Sequence, residues 1–312
     1  MLERRPRRSW SGPAGRPQYT GPRGRNRLLE TGSPRVPSAP MPEGDTLFRV
    51  ATGLRRVLLG QTLLEARARP GPLLRSVPDL SGLAGLRITE VESRGKHLLI
   101  TFGEGRRRRI LRNHLRMSGS WHRYRPGEAW RLADRRATLV LRTDHAVAVC
   151  FDCPTVELLT DVGAARSKAL ARLGPDLLGP DFDAADAVAN LRKLPHTAIG
   201  EALLDQCALA GIGNVVRNEV LFMERVNPRT AVEDLRAGEL ERLVVAAHRV
   251  LRAAAIAGVR TTTGERRPGA RLWVYRRAGR PCRRCGTRIE LSRQGEFARL
   301  TFWCPACQRA PA

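Results

Sequence analysis

Apolar side chains at Leu47, Val50, Leu54, Val57 and Leu58 recur at helical spacing and predict a helix over 45–59. From about residue 61 to 162 the period shortens. The runs Leu86–Val91, His97–Phe102, Ala137–Leu141 and Ala146–Cys150 alternate or are wholly apolar, and turn residues separate them. Short runs at this spacing predict an antiparallel sandwich or barrel. Residues 174–182 contain two Gly-Pro breaks and read as a linker. Helical periodicity then returns over 184–193, 198–209, 215–224 and 233–257. The last stretch carries Leu235, Leu240, Leu243, Val244, Ala247, Val250, Leu251 and Ala254 on one face. A small cysteine module ends the chain. The expected fold class is therefore α+β and multidomain: an N-terminal β-sandwich domain at 41–173, a linker at 174–182, a helical domain at 183–270 and a cysteine-bound β-hairpin at 271–312.

Residues 1–40 fit none of these patterns. They are rich in Arg, Pro, Gly and Ser, with only Glu3 and Glu30 acidic, and are expected to be a disordered basic extension. Three origins compete: a start codon assigned upstream of a true start at Met41, a tail that grips nucleic acid, and a transit-like peptide. The density of Pro and Gly argues against the amphipathic helix that a transit peptide needs.

Charge narrows the partner. The net charge is +25 and the pI is about 11.4, which points to a polyanion, most simply nucleic acid, over a merely solvated basic surface. Lysines number three (Lys96, Lys168, Lys193) among 55 basic residues, so part of the arginine excess reflects a GC-rich coding bias. No apolar run approaches the length of a membrane span.

Candidate chemistry sits at five places. Cys282-x2-Cys285 and Cys304-x2-Cys307, 18 residues apart, suit a tetrahedral structural Zn2+ holding a hairpin with Arg293 and Arg299 near its tip. Met41-Pro42-Glu43-Gly44 is a start at which removal of Met would leave a secondary amine. An α-amino group titrates near 7.7–8, so about a third is neutral at pH 7.5 and able to attack a sugar carbon. Glu43 could move protons beside it. While residues precede Pro42, however, its nitrogen is an unreactive amide. Gly211-Ile212-Gly213-Asn214 lies between two predicted helices; either it is only a turn, or the free N–H groups of the next helix and Asn214 offer an anion site. Lys96, at a strand boundary, suits a phosphate clamp or a plain surface position. Asn113–Ser120 reads as a polar loop with Met117 as an apolar wedge or a core residue. Cys150 and Cys153 are expected to face opposite ways on a strand, and Cys207 to be core.

Taken together these motifs resemble the bacterial formamidopyrimidine-DNA glycosylase and endonuclease VIII family, and within it the actinobacterial endonuclease VIII-like enzymes. The likeness spans about 41–308. It rests on Pro42-Glu43-Gly44, Gly95-Lys96, His114-Leu115 with Met117-Ser118-Gly119, Leu173-Gly174-Pro175-Asp176, Leu204-Asp205-Gln206, Gly211–Asn214 and the cysteine hairpin ending at Gln308. The resemblance implies a β-sandwich, a helix-two-turn-helix domain and a zinc finger. It also implies a bifunctional DNA glycosylase and lyase of base-excision repair: a monomer acting on damaged DNA in the bacterial cytoplasm, at the nucleoid. Pro42 would attack C1′ of the damaged nucleotide, Glu43 would serve as acid and base, and β,δ-elimination would cut the strand. Lys96, His114, Asn214 and Arg299 would hold DNA, with Lys96 close to the chemistry, and Met117 would fill the space left by the flipped base.

Four departures bear on the branch. Thr46 stands where the family often has an acid. Gly200 stands where formamidopyrimidine glycosylases usually have Lys. Residues 150–156 lack the Arg and Phe that those enzymes insert opposite the lesion, and the segment after Thr261 is short. These favour oxidised pyrimidines as substrates. A non-catalytic binder of damaged or structured DNA, an 8-oxoguanine glycosylase and a zinc-ribbon protein acting on RNA are the alternatives.

Overall fold

The computed structural model describes residues 41–310 apart from Arg75, so the expectation of disorder for 1–40 lies outside the described residues. The chain opens with helix α1 (Gly44–Leu58). Eight strands follow: β1 (Glu65–Ala68), β2 (Ile88–Arg94), β3 (His97–Phe102), β4 (Arg109–His114), β5 (Ser120–Tyr124), β6 (Ala137–Arg142), β7 (Val147–Phe151) and β8 (Thr155–Leu159). They form two antiparallel four-stranded sheets, ordered β1-β6-β7-β5 and β2-β3-β4-β8. The inner faces share one core that includes Leu98, Ile100, Phe102, Leu111, Leu139, Leu141 and Ala148, and α1 adds Leu47, Ala51, Leu54 and Leu58. This is the sandwich expected from the alternation.

β3 and β7 are buried on both faces because each sheet carries a second, smaller core outside. Leu99 and Ile110 pack with Leu170, while Val147, Val149 and Phe151 pack with Tyr124 and Val140. β4 escaped the sequence reading because Arg112 and Asn113 lie on it and both are buried. Asn113 and His114 therefore belong to a strand, and the loop proper is 115–119.

Two cysteine expectations fail. Cys150 and Cys153 are both fully buried, with thiols in hydrogen-bond contact. The strand ends at Phe151 and Asp152 takes a left-handed φ of 49°, so the chain turns and brings the two side chains together. Cys207 is exposed, not core. The helix expected at 198–209 stops at Ala202, and the Asp205 side chain takes the N–H of Cys207 at 2.8 Å, folding that stretch into turns.

Short helices α2 (Asp161–Arg166) and α3 (Lys168–Ala171) lead to the helical half: α4 (Ala184–Arg192), α5 (Ile199–Ala202), α6 (Asn214–Met223) and α7 (Glu239–Ala257). α7 begins six residues later than its apolar pattern, because Gly238 at φ 77° turns the chain and Glu239 accepts the N–H of Arg236 at 2.9 Å. The segment 174–182 is no loose tether. Leu177 is buried in the helical core, and Asp176 accepts the Gly95 N–H at 2.8 Å, joining the two halves. Strands β9 (Glu290–Gln294) and β10 (Arg299–Trp303) form the final hairpin. Among the described residues no helix is long and apolar enough to cross a membrane.

Candidate active site

The site is built where the start of α1 meets the start of α6. Gly44 donates its N–H to the Gly211 carbonyl at 2.8 Å, and a Cβ on Gly44 would lie 3.0 Å from that oxygen, so a side chain would disturb the junction. Beside it Glu43 is fully buried, and its carboxylate accepts the N–H groups of Val215 at 2.7 Å and Val216 at 3.3 Å. The anion site expected at the α6 N-terminus therefore exists, but the chain's own carboxylate fills it. A Cβ on Gly213 would stand 2.5 Å from the Glu43 carboxyl carbon, which is why that turn is glycine.

The loop that presents Gly211–Asn214 is held by Gln206. Its amide donates to the carbonyls of Leu204 (3.0 Å) and Ile212 (3.1 Å) and accepts the Gly211 N–H (3.1 Å). Lys96 comes in from the β2–β3 turn, where Gly95 has φ 57° and sits against Ala210. Lys96 is half-buried. Burial lowers its pKa to about 8; the Glu43 charge opposes this, and Arg299 and Arg260 add to it. Lys96, Glu43, Arg260 and Arg299 thus share one electrostatic neighbourhood.

Arg260, which the sequence reading passed over, follows the C-terminus of α7. It pairs with Asp45, donating from Nε at 3.2 Å, and reaches Glu43 at 3.7 Å. Asp45, one position before Thr46, is thus a carboxylate held on an arginine beside Glu43. Asn214 is also less free than expected, since its amide nitrogen donates to the Leu300 carbonyl at 2.9 Å.

That bond is one of several that fix the hairpin on α6. Arg217, wholly buried, donates to the carbonyls of Gly200 (2.9 Å) and Leu300 (3.0 Å) and to the Thr301 hydroxyl (2.8 Å). Asn218 accepts the Phe302 N–H at 2.7 Å. Glu219 accepts the N–H groups of Trp273 (2.7 Å), Val274 (2.9 Å) and Tyr275 (2.8 Å), and burial pushes its carboxyl up. Arg217, Asn218 and Glu219 gave no signal beyond a helical pattern. The hairpin places Arg299 at the start of β10, with its guanidinium 5.8 Å from the Phe297 ring. On the sandwich side Met117 is 40% exposed in the loop after β4, and Ser118 pins that loop to the Asp152 carbonyl at 3.2 Å.

Behind the hairpin the sulfurs of Cys282, Cys285, Cys304 and Cys307 lie within 4.8 Å of one another. A tetrahedral ion with 2.3 Å bonds to sulfur needs neighbouring sulfurs about 3.8 Å apart. The pairs Cys282–Cys307 at 4.0 Å and Cys285–Cys304 at 3.4 Å straddle that value, so the quartet can hold a metal ion. Gln308 locks the module to the turn after α6, donating to the Val226 carbonyl at 2.9 Å.

Residues 41–155 match the profile described as formamidopyrimidine-DNA glycosylase N-terminal domain, and residues 173–265 match the formamidopyrimidine-DNA glycosylase H2TH domain. The chain belongs to the formamidopyrimidine-DNA glycosylase family. It is 42% identical over 275 residues to a probable endonuclease 8 2 of Streptomyces coelicolor, covering 87% of this chain and 95% of that protein. It is 43% identical over 273 residues to the DNA-(apurinic or apyrimidinic site) lyase Nei2 of Mycolicibacterium smegmatis, covering 86% and 100%. Among solved structures it resembles Lactococcus lactis Fpg (MutM) in complex with DNA containing an oxidised pyrimidine: 25% identity, TM-score 0.72, 86% of this chain and 100% of that one. In this formamidopyrimidine-DNA glycosylase family member, the two halves are joined by the Gly44 N–H on the Gly211 carbonyl and by the Gly95 N–H on the Asp176 carboxylate.

Proposed function

We propose that this chain is a bifunctional DNA glycosylase and AP lyase of base-excision repair, acting through the nitrogen of Pro42 once that nitrogen is a free chain terminus. One observation carries the reading: Glu43, next to Pro42, is held on the α6 N-terminus among Lys96, Arg260 and Arg299. A carboxylate fixed there can shuttle protons beside an amine, while cations around it suit the phosphates that flank a nucleotide.

The Pro42 amine forms a bond to C1′ as the C1′–base bond breaks, and the departing base takes a proton. Ring opening, assisted by Glu43, gives an iminium. Loss of a C2′ proton then expels the 3′-phosphate, and a second elimination expels the 5′-phosphate. Lys96, His114, Asn214 and Arg299 are the DNA-binding set. Met117, exposed at a pinned loop, enters the space of the flipped nucleotide. The four cysteines hold one Zn2+. With four sulfur ligands the site is closed, so the ion keeps the hairpin folded and takes no part in the reaction. An enzyme of this kind would work as a monomer in the bacterial cytoplasm, on nucleoid DNA.

Oxidised pyrimidines fit better than 8-oxoguanine. The β7–β8 connection is only Asp152–Pro154, which leaves no long loop to insert opposite the lesion. Residues 261–271 close tightly on themselves through the Thr262 N–H and Arg271 carbonyl at 2.9 Å. A side chain at Gly200 would meet Gln294 Oε1 at 2.6 Å, so the lysine usual there in formamidopyrimidine glycosylases has no room.

The test is borohydride trapping on abasic DNA with chains that begin at Met1 and at Met41. Trapping only from the Met41 chain, at Pro42, is the expected result. No trapping from it would leave the DNA-binding reading without catalysis, and trapping by an intact Met1 chain would move the nucleophile elsewhere. Faster excision of thymine glycol than of 8-oxoguanine is expected; the reverse order would overturn the pyrimidine assignment.

A further inference from the structure

His114 ends β4 half-buried, and its contacts decide where its proton sits. The backbone N–H of Arg116 points at its Nδ1 from 3.0 Å, made possible by a left-handed φ of 46° at Arg116. A nitrogen that accepts a hydrogen bond carries no hydrogen, so the ring proton is on Nε2. Behind it, buried His97 meets the His114 ring edge-on, with centroids 4.9 Å apart at 66°. Arg112 Nη1 lies 3.0 Å from His97 Nδ1. A guanidinium only donates, so His97 is likewise a neutral ring with its proton on Nε2. Arg112 is aimed by Glu157, its register partner on β8, through bonds of 3.0 Å from Nε and 2.5 Å from Nη2.

A line of side chains, Glu157–Arg112–His97–His114, thus runs across three strands toward the Met117 loop. Adding a proton to either imidazole would set N–H against N–H. The charges facing the pair reinforce this: Arg94 from the end of β2, Lys96 from the β2–β3 turn, Arg112 from β4 and Arg116 from the loop. The nearby carboxylate, Glu157, is already engaged by Arg112. Burial first, then Lys96, Arg116 and Arg112, lowers the His114 pKa to about 4. Burial, then His114, Arg112, Lys96 and Arg94, lowers that of His97 to about 3.

We propose that His114 meets a backbone phosphodiester as a neutral Nε2–H donor, and that Arg112 and His97 are positioning residues that hold it in that form. This rests on the reading of His114 as a DNA contact and adds the state in which it binds. A neutral donor releases no counterion, so it adds affinity without adding salt dependence, unlike Lys96.

Nitrogen NMR of the free Met41 chain, 15N-labelled at histidine, reads the tautomer directly. His114 is expected as the Nε2–H form with no titration between about pH 5 and 8, whereas an ordinary imidazole titrates near 6.5. An Nδ1–H form, or a midpoint in that window, overturns the proposal. With duplex DNA carrying a stable abasic analogue, His114→Phe should bind on the order of ten- to a hundredfold more weakly, with the slope of log K against log salt unchanged. A slope reduced by about 0.9, the signature of one lost cation on a phosphate, would instead mark a charged His114. Arg112→Met removes the donor that faces His97 Nδ1, so the His97 ring should lose its single Nε2–H form and its titration should move up from about 3; a His97 tautomer and titration unchanged in that variant overturn the positioning role. Failure to trap abasic DNA counts against the lyase reading alone, because the tautomer is read without DNA.

Discussion

A single methyl group on Gly213 would stand 2.5 Å from the Glu43 carboxyl carbon, and this closeness makes the site sensitive to one atom. Gly213→Ala is expected to push Glu43 off the Val215 and Val216 N–H groups. Borohydride trapping should fall by about 10²-fold or more, the worth of a placed acid/base, while circular dichroism still shows a folded chain. Lys96 gives a pH prediction with two opposite signs. Its folded pKa, about 8, is below the ordinary 10.5, so the unfolded chain binds more protons between those values. Its contribution to stability therefore rises as pH goes from about 8 to 10.5. The phosphate contact proposed for it needs the charged form and would weaken as pH rises through about 8. Titrating the affinity for an abasic analogue over that range should show the loss in the wild type and none in Lys96→Arg. At this scale the sequence was legible where residue type is rare. Lys96 stood out among so many arginines and Glu43 beside Pro42, whereas Arg260 was lost among 55 basic residues and only folding places it against Asp45 and Glu43.

Among the elements, α6 departs furthest from its pattern. Residues Asn214 to Phe222 are buried throughout, and four of them are polar or charged. Each of those polar side chains is aimed at another segment, so the helix fastens the hairpin through hydrogen bonds more than through an apolar stripe. Arg217→Met would strip donors from the Gly200 and Leu300 carbonyls and the Thr301 hydroxyl. A cost of about 3 kcal/mol is expected for the acceptors left buried, or roughly 6–12 °C in Tm for a chain of this size, measurable by calorimetry. Periodicity located α1, α4, α6 and the apolar strands, because their burial is one-sided or complete. It missed β1, β5 and β8, whose exposed or half-buried positions dilute the pattern, and β4, where buried Arg112 and Asn113 break it; it overran α5, where the Asp205 side chain competes for backbone N–H groups.

For the whole molecule, net charge and metal should act separately. DNA binding is expected to weaken linearly in log–log salt titrations, with Lys96→Met and Arg299→Met each lowering the slope by about 0.9. Stripping the metal with a chelator should loosen residues 282–308 and abolish tight binding. The sandwich amides, whose core is remote from the cysteines, should keep their hydrogen-exchange protection; simultaneous loss of both would contradict a purely local role for the ion. The sequence showed both halves and the hairpin. It did not show that Asp176, in the stretch read as a linker, clamps the Lys96 turn, because a Gly-Pro-rich segment looks the same free or docked.

The crowd of charge around Glu43 has one more consequence. Lys96, Arg260 and Arg299 stand against two carboxylates, Glu43 and Asp45, so positive charge is in excess before DNA arrives. An amine released at Pro42 would enter that neighbourhood as a further cation, and the cheapest relief is to shed its proton. Lys96 and Arg299, proposed to hold phosphate, would thereby also keep the amine's lone pair available.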